Sequence, residues 1–459
     1  MLETRLRDLL RSARDEAQTQ GIQAEFSFHR ERSSLIRLGN SSVALSTSEE
    51  LTRLDVGVTD GKRTGSFTLL ADLTSREQVL DAVRRAQEHC AASLEKEYEP
   101  IFGVVEETVD DVNGFDPELE NLSPVAKAGL CAEVIQAIKP RGDYDFSGSW
   151  TSGSTEYYYL TTANEHEAYR RLTDGRLFLV LKEQAQKWEL SVEQAGKSVG
   201  AFSAADAIAE FEQLLPIYTQ QGGYRAPLGY TRVLFGQQAV AELVGLAMWG
   251  GFLGRGWEEK RAYTAGKQFG DVLFSPNVTI IDDPTHAQVY GMPFDFNGKR
   301  RRPFPLVEAG IFKGLMYGTT SAARYGKAPT GHDLQNVDMV FRTGQAPAGL
   351  DAGKALAGDA LYIPHLHYIH MPNPSRGQFT GSSRFNAQRL EGGACTAPLF
   401  STRITDTIPN VLSHVIAISS RAVLVDVSNT YERRTPTAVS VPEYLLCDNV
   451  RISDVAESF

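Results

Sequence analysis

The chain has 459 residues, enough for two or three domains and a large core. Its 46 basic and 57 acidic residues leave a net charge of −11, which argues against nucleic acid as the main partner, because binding a phosphate backbone depends on clustered Lys and Arg. Cys90, Cys131, Cys395 and Cys447 show no CxxC spacing and predict reduced thiols, and no window approaches the roughly 18 apolar residues that span a bilayer, so no membrane role and a soluble, cytoplasmic protein are expected.

Taken in order, residues 2–20 predict an amphipathic helix through Leu2, Leu6, Leu9, Leu10 and Ala13, closed by Gly21. Alternating runs at 24–30, 33–38, 41–46, 52–58 and 63–70 predict five antiparallel strands joined by tight turns. Asp72-Leu-Thr-Ser75 then caps a helix over 76–93. His29 lies in one of these strands with no metal-ligand neighbour and reads as an ordinary strand residue. Residues 1–115 thus form an N-terminal mixed α/β domain with an antiparallel meander.

A middle α+β segment, 116–222, follows, with helices near 124–139 and 204–220 flanking strands at 145–150, 155–162, 166–173 and 176–184. Its Asn164-Glu-His-Glu-Ala-Tyr-Arg-Arg171 has the look of a zinc-peptidase HExxH, but Arg170 stands where the second histidine is needed. The stretch predicts a hairpin turn with His166 exposed on it. Gln220-Gln-Gly-Gly-Tyr-Arg-Ala-Pro-Leu-Gly229 is the clearest linker and places a boundary near 222.

Residues 223–459 predict a β-rich C-terminal domain around one buried helix, so the fold class is α+β. That helix occupies Phe235 to Gly254, where Ala239, Leu243 and Ala247 recur at four-residue steps and Val240, Val244 and Leu246 widen the stripe. Glu242 is its only charge, and the glycines at 250, 251 and 254 end it. Beyond it, Asp282-Asp283-Pro284 reads as a turn closing a buried strand, and Val307 to Gly314 as two strands around a turn with Gly310. The densest basic run, Lys299-Arg-Arg-Arg302, reads as a solvated turn.

Pro364-His-Leu-His-Tyr-Ile-His370 is the strongest candidate metal site. In a strand His365 and His367 share one face, a spacing zinc uses; His370 points the other way unless the chain bends, and a third ligand has to come from afar, Cys395 being the candidate. Short strands follow near 378–385, 387–393, 397–403, 415–419, 422–427 and 444–452. There is no GxSxG elbow, no GxxxxGK[ST] loop and no GxGxxG after a strand.

The runs Val278-Thr-Ile-Ile-Asp-Asp-Pro284, Pro293-Phe-Asp-Phe-Asn-Gly-Lys299, Leu306 to Tyr317 and Ser321 to Gly331 resemble, in order and spacing, the pattern of the TldD/PmbA family. Catalytic members place an HExxxH zinc motif on the helix that corresponds to 235–254. On that register Gly245 and Gly250 replace the two histidines and Leu246 the glutamate, and none of the three can bind a metal or move a proton. Such members complete the site with a cysteine from a loop before the last strand; Asn429 to Pro436 has none, and Cys447 falls inside the strand itself.

The resemblance therefore implies a PmbA/TldE-like subunit without cofactor or catalytic residues of its own. Zinc is expected in a TldD-like partner. The two form a heterodimer, or this chain a homodimer, and enclose a chamber for an unfolded peptide. Two alternatives stay open: a metal-dependent hydrolase using His365, His367 and Cys395, and a protein-binding modulator, in line with the family's older description as a modulator of DNA gyrase.

Overall fold

Leu10, Ala13 and Ala17 repeat at helical spacing and are buried, so Thr4–Thr19 forms an amphipathic helix, α1, laid on the first sheet. The computed structural model describes residues 4–220, 222–333, 337–428 and 433–459, and among them the strands form three sheets. After α1 come β1 (Gln23–Gly39), β2 (Ser42–Asp60), β3 (Arg63–Leu69) and α2 (Arg76–Ala92). α2 starts on a capping box in which Ser75 and Gln78 each satisfy the other's backbone N–H.

The five strands expected here are three. No Gly, Asn, Asp or Pro lies at 31–32 or 47–51, so the chain has no reason to turn there and stays extended. It reverses instead at Asn40-Ser41, whose φ values of 52° and 58° suit a two-residue hairpin turn.

The chain continues through β4 (Val109–Asp111), α3 (Pro117–Glu120), α4 (Pro124–Ile138), β5 (Tyr144–Thr161), β6 (Glu167–Glu183), β7 (Glu189–Gly196) and α5 (Ala204–Gln220). Here too four expected strands merge into two, β5 and β6. Gly153 and Gly175, which lie in the gaps between the expected strands, mark close approaches: a Cβ on Gly153 would lie 2.8 Å from Ser33 Cα, and one on Gly175 2.8 Å from the Phe202 ring. β7 went unanticipated. The first sheet is ordered β3-β2-β1-β5-β6-β4, with β7 also on β6, so it runs across residues 115/116 through the β1–β5 pairing.

From Gly229 the elements are β8 (Gly229–Gly236), α6 (Gln237–Gly251), α7 (Gly254–Glu258), β9 (Ile280–Asp282), β10 (Phe304–Glu308), β11 (Ile311–Phe312), α8 (Thr319–Tyr325) and β12 (Met339–Phe341). Then come α9 (Leu350–Ala357), β13 (Ala360–Ile363), β14 (Leu366–Asn373), β15 (Gln378–Ser383), β16 (Gln388–Glu391), β17 (Ala394–Pro398) and β18 (Thr402–Thr407). The chain ends with α10 (Ile408–Ser413), β19 (Val415–Ile418), β20 (Ala422–Asp426), β21 (Ala438–Pro442) and β22 (Tyr444–Val455). The run expected at 397–403 is the end of β17, a break and the start of β18. Gly310, at φ 78°, makes the expected turn between β10 and β11.

Two sheets result, one ordered β11-β10-β9-β12-β21-β20, the other β14-β15-β18-β22-β8-β13-β16-β17 with β19 on β22. α6 packs on β12, β20 and β21 of the former and on β8, β14 and β22 of the latter. A helix covered by sheets on two sides must be apolar on most of its circumference, which is why the expected α+β fold with a β-rich domain around a buried helix is what forms. Among the described residues no helix is long and apolar enough to cross a membrane.

Buried polar contacts tie this half to the first sheet. Arg434 donates through Nε to Asp174 Oδ1 at 3.0 Å, and its backbone N–H to Glu31 Oε2 at 2.8 Å. Arg170 donates to the carbonyls of Tyr290 and Gly291 at 2.8 and 2.9 Å.

Candidate functional site

α6 is buried on Ala239, Val240, Ala241, Leu243, Val244, Ala247 and Met248, so the two sheets leave one stripe uncovered: Gln238, Glu242, Gly245, Leu246 and Trp249. These positions recur at three- and four-residue steps along one face. Beside the stripe stand side chains from the first sheet. Arg176 of β6 grips Glu193 of β7 through Nε and Nη2 at 2.7 and 3.1 Å, Gln238 lies beside Glu193, and Glu242 lies within electrostatic reach of both charges.

This flank of the stripe is acidic. Burial pushes the Glu193 carboxyl above its ordinary value against the pull of Arg176. Glu242 keeps exposed surface, yet the surrounding walls withdraw enough water to raise its carboxyl too, against Arg176 and with Glu193. Glu210 of α5 keeps exposed surface, yet the walls around it withdraw water and, with the charge of Glu193 next, push its carboxyl up to about 7. His365 is held neutral, lowered to about 3 by burial, by Arg176 and by His367. This flank offers hydrogen-bond donors and acceptors for backbone amides.

The residues at the expected motif positions do not face one point. Gly245 opens on empty space, with nothing within 4 Å of where a Cβ would stand, and Leu246 shares that open side. Gly250 faces inward, where a Cβ would meet Met371 Sδ at 2.5 Å. No donor atom is offered at any of the three, so the residues of α6 do not fit a zinc ion. The loop expected to lack a cysteine lies outside the described residues at 429–432; its end, Arg434, is taken up by Asp174.

The structure does not bring the other metal candidates together. His365 sits 3.4 Å from Ser191 Oγ and edge-on to Phe385. His367 Nε2 takes a hydrogen bond from Arg384 at 2.7 Å, His370 bonds the Tyr368 carbonyl, and Cys395 donates to Gln388 Oε1. β14 and β17, which carry His367 and Cys395, lie at opposite ends of their sheet order. Among the described residues no three His, Cys, Asp or Glu side chains gather as a metal would require.

The remaining singled-out residues are structural. His29 is buried against Glu31 at 2.8 Å, helping to hold the carboxylate that receives Arg434. His166 sits in the β5–β6 turn as expected, its N–H on Asn164 Oδ1 at 3.1 Å. Asp283 accepts from Thr285 N at 2.9 Å, a turn device, whereas Asp282 is wholly buried between Arg301 and His332, which hold its carboxyl low against the effect of burial. That corrects the reading of the basic run as a solvated turn: Arg301 is buried and bridges Asp282 and Asp338, both at 2.8 Å. Arg176, Glu193 and Glu210 were missed, since three charges far apart in sequence give no motif; the lone Glu242 in an apolar helix was the only signal.

Residues 228–454 match the family model described as the PmbA/TldA metallopeptidase C-terminal domain. The whole fold is similar to TldE from Thermococcus kodakarensis, at 16% identity over 97% of this chain and 100% of that one, with a TM-score of 0.82. It is also similar to a protein described as a candidate modulator of DNA gyrase from Thermotoga maritima, at 16% identity over 98% and 100% with a TM-score of 0.80. A protein of like description from Bacteroides thetaiotaomicron matches at 14% identity over 99% and 100%, with a TM-score of 0.82. No curated protein sequence matches. A buried helix between two sheets, joined to a long-stranded first sheet, defines an α+β protein whose C-terminal half is metallopeptidase-like in sequence. The matched region, residues 228–454, belongs to the TldD/PmbA family, and the chain as a whole has the fold of TldE.

Proposed function

We propose that the chain is the non-catalytic, TldE-like half of a two-subunit zinc peptidase and holds part of an unfolded peptide along the uncovered stripe of α6. The observation that carries this reading is an uncovered, polar face of α6 on which Gly245 and Leu246 stand at positions where catalytic relatives carry a histidine and a glutamate. The zinc then belongs to the partner, and this chain supplies hydrogen-bonding groups, Gln238, Glu242 and the Arg176–Glu193 pair, for an extended backbone. A cytoplasmic setting suits its four unpaired cysteines. No observation favours a relocated metal site at His365, His367 and Cys395, or the modulator reading.

The test is to mix the chain with a family member carrying an intact HExxxH motif. Size-exclusion chromatography is expected to show a complex, and cleavage of an unfolded peptide to rise on mixing. Two separate peaks with unchanged cleavage would overturn the reading. Cleavage by this chain alone, abolished by chelation, would overturn it from the other side.

A further inference from the structure

The β6–β7 turn, the irregular part of β14 and the corner after β15 meet around a second cavity of about 370 Å³, which shares no lining residue with α6. Lys182, Lys187 and Glu189 line it from the first sheet, and His367, Tyr368, Arg384 and Phe385 from the C-terminal half. Its volume suits a small organic molecule.

The backbone around this cavity is held in conformations that residues with a Cβ avoid. Lys187, Tyr368, Phe385 and Asn386 have φ of 67°, 49°, 51° and 50°, four of the nine such non-glycine residues among those described. Asn386 is clamped to Ser191, accepting its N–H at 3.0 Å and donating to its carbonyl at 2.7 Å, which fixes the Phe385 ring beside His365 and Phe178. In β14 the register slips between His367↔Ser382 and His370↔Thr380, and the irregularity turns Tyr368 outward, 81% exposed. An aromatic side chain displayed to water at a strained position is a surface waiting for a ring.

Charge gives the other half of the recognition. Glu189 is committed to Arg384, whose Nε and Nη2 lie 3.1 and 2.9 Å away. Lys182 is left with a loose 3.7 Å contact to Glu189, and Lys187 with a 3.5 Å bond to the neutral Gln184 and the Glu183 carboxylate within electrostatic reach. A guanidinium can only donate, so His367 Nε2 accepts from Arg384 and the neutral ring carries its proton on Nδ1, one more donor at this wall. In a chain of net charge −11, two weakly paired ammonium groups and a donor imidazole beside aromatic rings select an anion.

We propose that this cavity binds an aryl-substituted carboxylate, its carboxylate taken by Lys182 and Lys187 and its ring by Phe385 and Tyr368. The inference is independent of the partnership above.

Calorimetric titration of the full chain with N-acetyl-L-phenylalanine and with its amide tests it. The acid is expected to saturate at millimolar or lower concentration, and the amide to bind at least about tenfold more weakly for want of the charge-assisted bonds. A Lys182→Ala/Lys187→Ala double variant, which changes only partly exposed side chains, is expected to abolish that preference with an unchanged melting curve. Tyr368→Ala is expected to weaken acid and amide alike. Equal affinity for acid and amide, no saturable binding of the acid below about 10 mM, or an unchanged preference in the double variant would each sink the proposal. Inorganic phosphate competing as well as the aryl acid would remove its aromatic part.

Discussion

Arg301 lies in the densest basic run of the chain, where neighbouring charges and a glycine describe an exposed turn, yet its guanidinium is wholly buried between Asp282 and Asp338. Nothing local distinguishes it from Arg300 or Arg302, because the two carboxylates that make burial affordable come from β9 and from the chain just before β12. Arg301→Met removes the cation and leaves both acids without a counter-charge. It is expected to cost about 3–5 kcal/mol, read as a lowered urea midpoint at unchanged slope.

Lys127 poses the opposite case. Its Nζ donates to Ser34 O and Oγ at 2.8 and 2.7 Å, and burial first, then Arg434, lowers its pKa to about 7. The unfolded chain, with an ordinary lysine near 10.4, therefore binds more protons than the fold across the interval between the two values, and stability from this group rises as pH rises through it. The stability of the native chain relative to Lys127→Met is expected to grow by on the order of 2 kcal/mol between about pH 7 and 9. Cys131, raised to about 11 by burial against the pull of Lys127, stays protonated in both folded proteins up to about pH 9 and so drops out of the comparison over this interval. A pH-independent difference in chemical denaturation would refute the assignment.

At the scale of elements, α6 was plain in the sequence because a 3.6-residue repeat of Ala, Val and Leu survives whatever packs against it. Which side stays open was not, since that depends on where two sheets end. The glycines of the helix separate the two sides. Gly245→Ala places its methyl in open space and relieves a glycine in a helix interior, so a gain of about 0.5–1 kcal/mol is expected. Gly251→Ala drives its methyl into the Tyr263 ring and is expected to destabilise. Thermal melts of the two variants moving in the same direction would contradict this placement of the faces. The strands were misjudged for a related reason. Gly153 and Gly175 punctuate a sequence as turns do, but here they make room for Ser33 and Phe202 across the sheet.

At the scale of the molecule, the two halves are joined by an apolar cluster in which Tyr157 and Leu172 meet Tyr290 and Phe294, and by buried polar contacts. Arg434 and Asp174 stand 260 positions apart, and the segment before β21 is anchored to β6 through them. Arg434→Ala strands Asp174 in the interior. It is expected to cost about 3–5 kcal/mol and to divide one calorimetric transition into two as the halves uncouple. A single transition at unchanged temperature would show that the pair is dispensable.

The sequence by itself determined the α+β class, the buried helix, the turn at Gly310 and the family, since each rests on local periodicity or on a pattern contiguous in the chain. Tertiary structure alone decided that Arg301 is interior, that the histidines of 365–370 and Cys395 stay apart, and that Arg176, Glu193 and Glu242 meet at the uncovered stripe of α6. Those outcomes depend on which distant groups desolvate and neutralise one another, and a linear pattern carries no information about partners that meet only when sheets close over a helix.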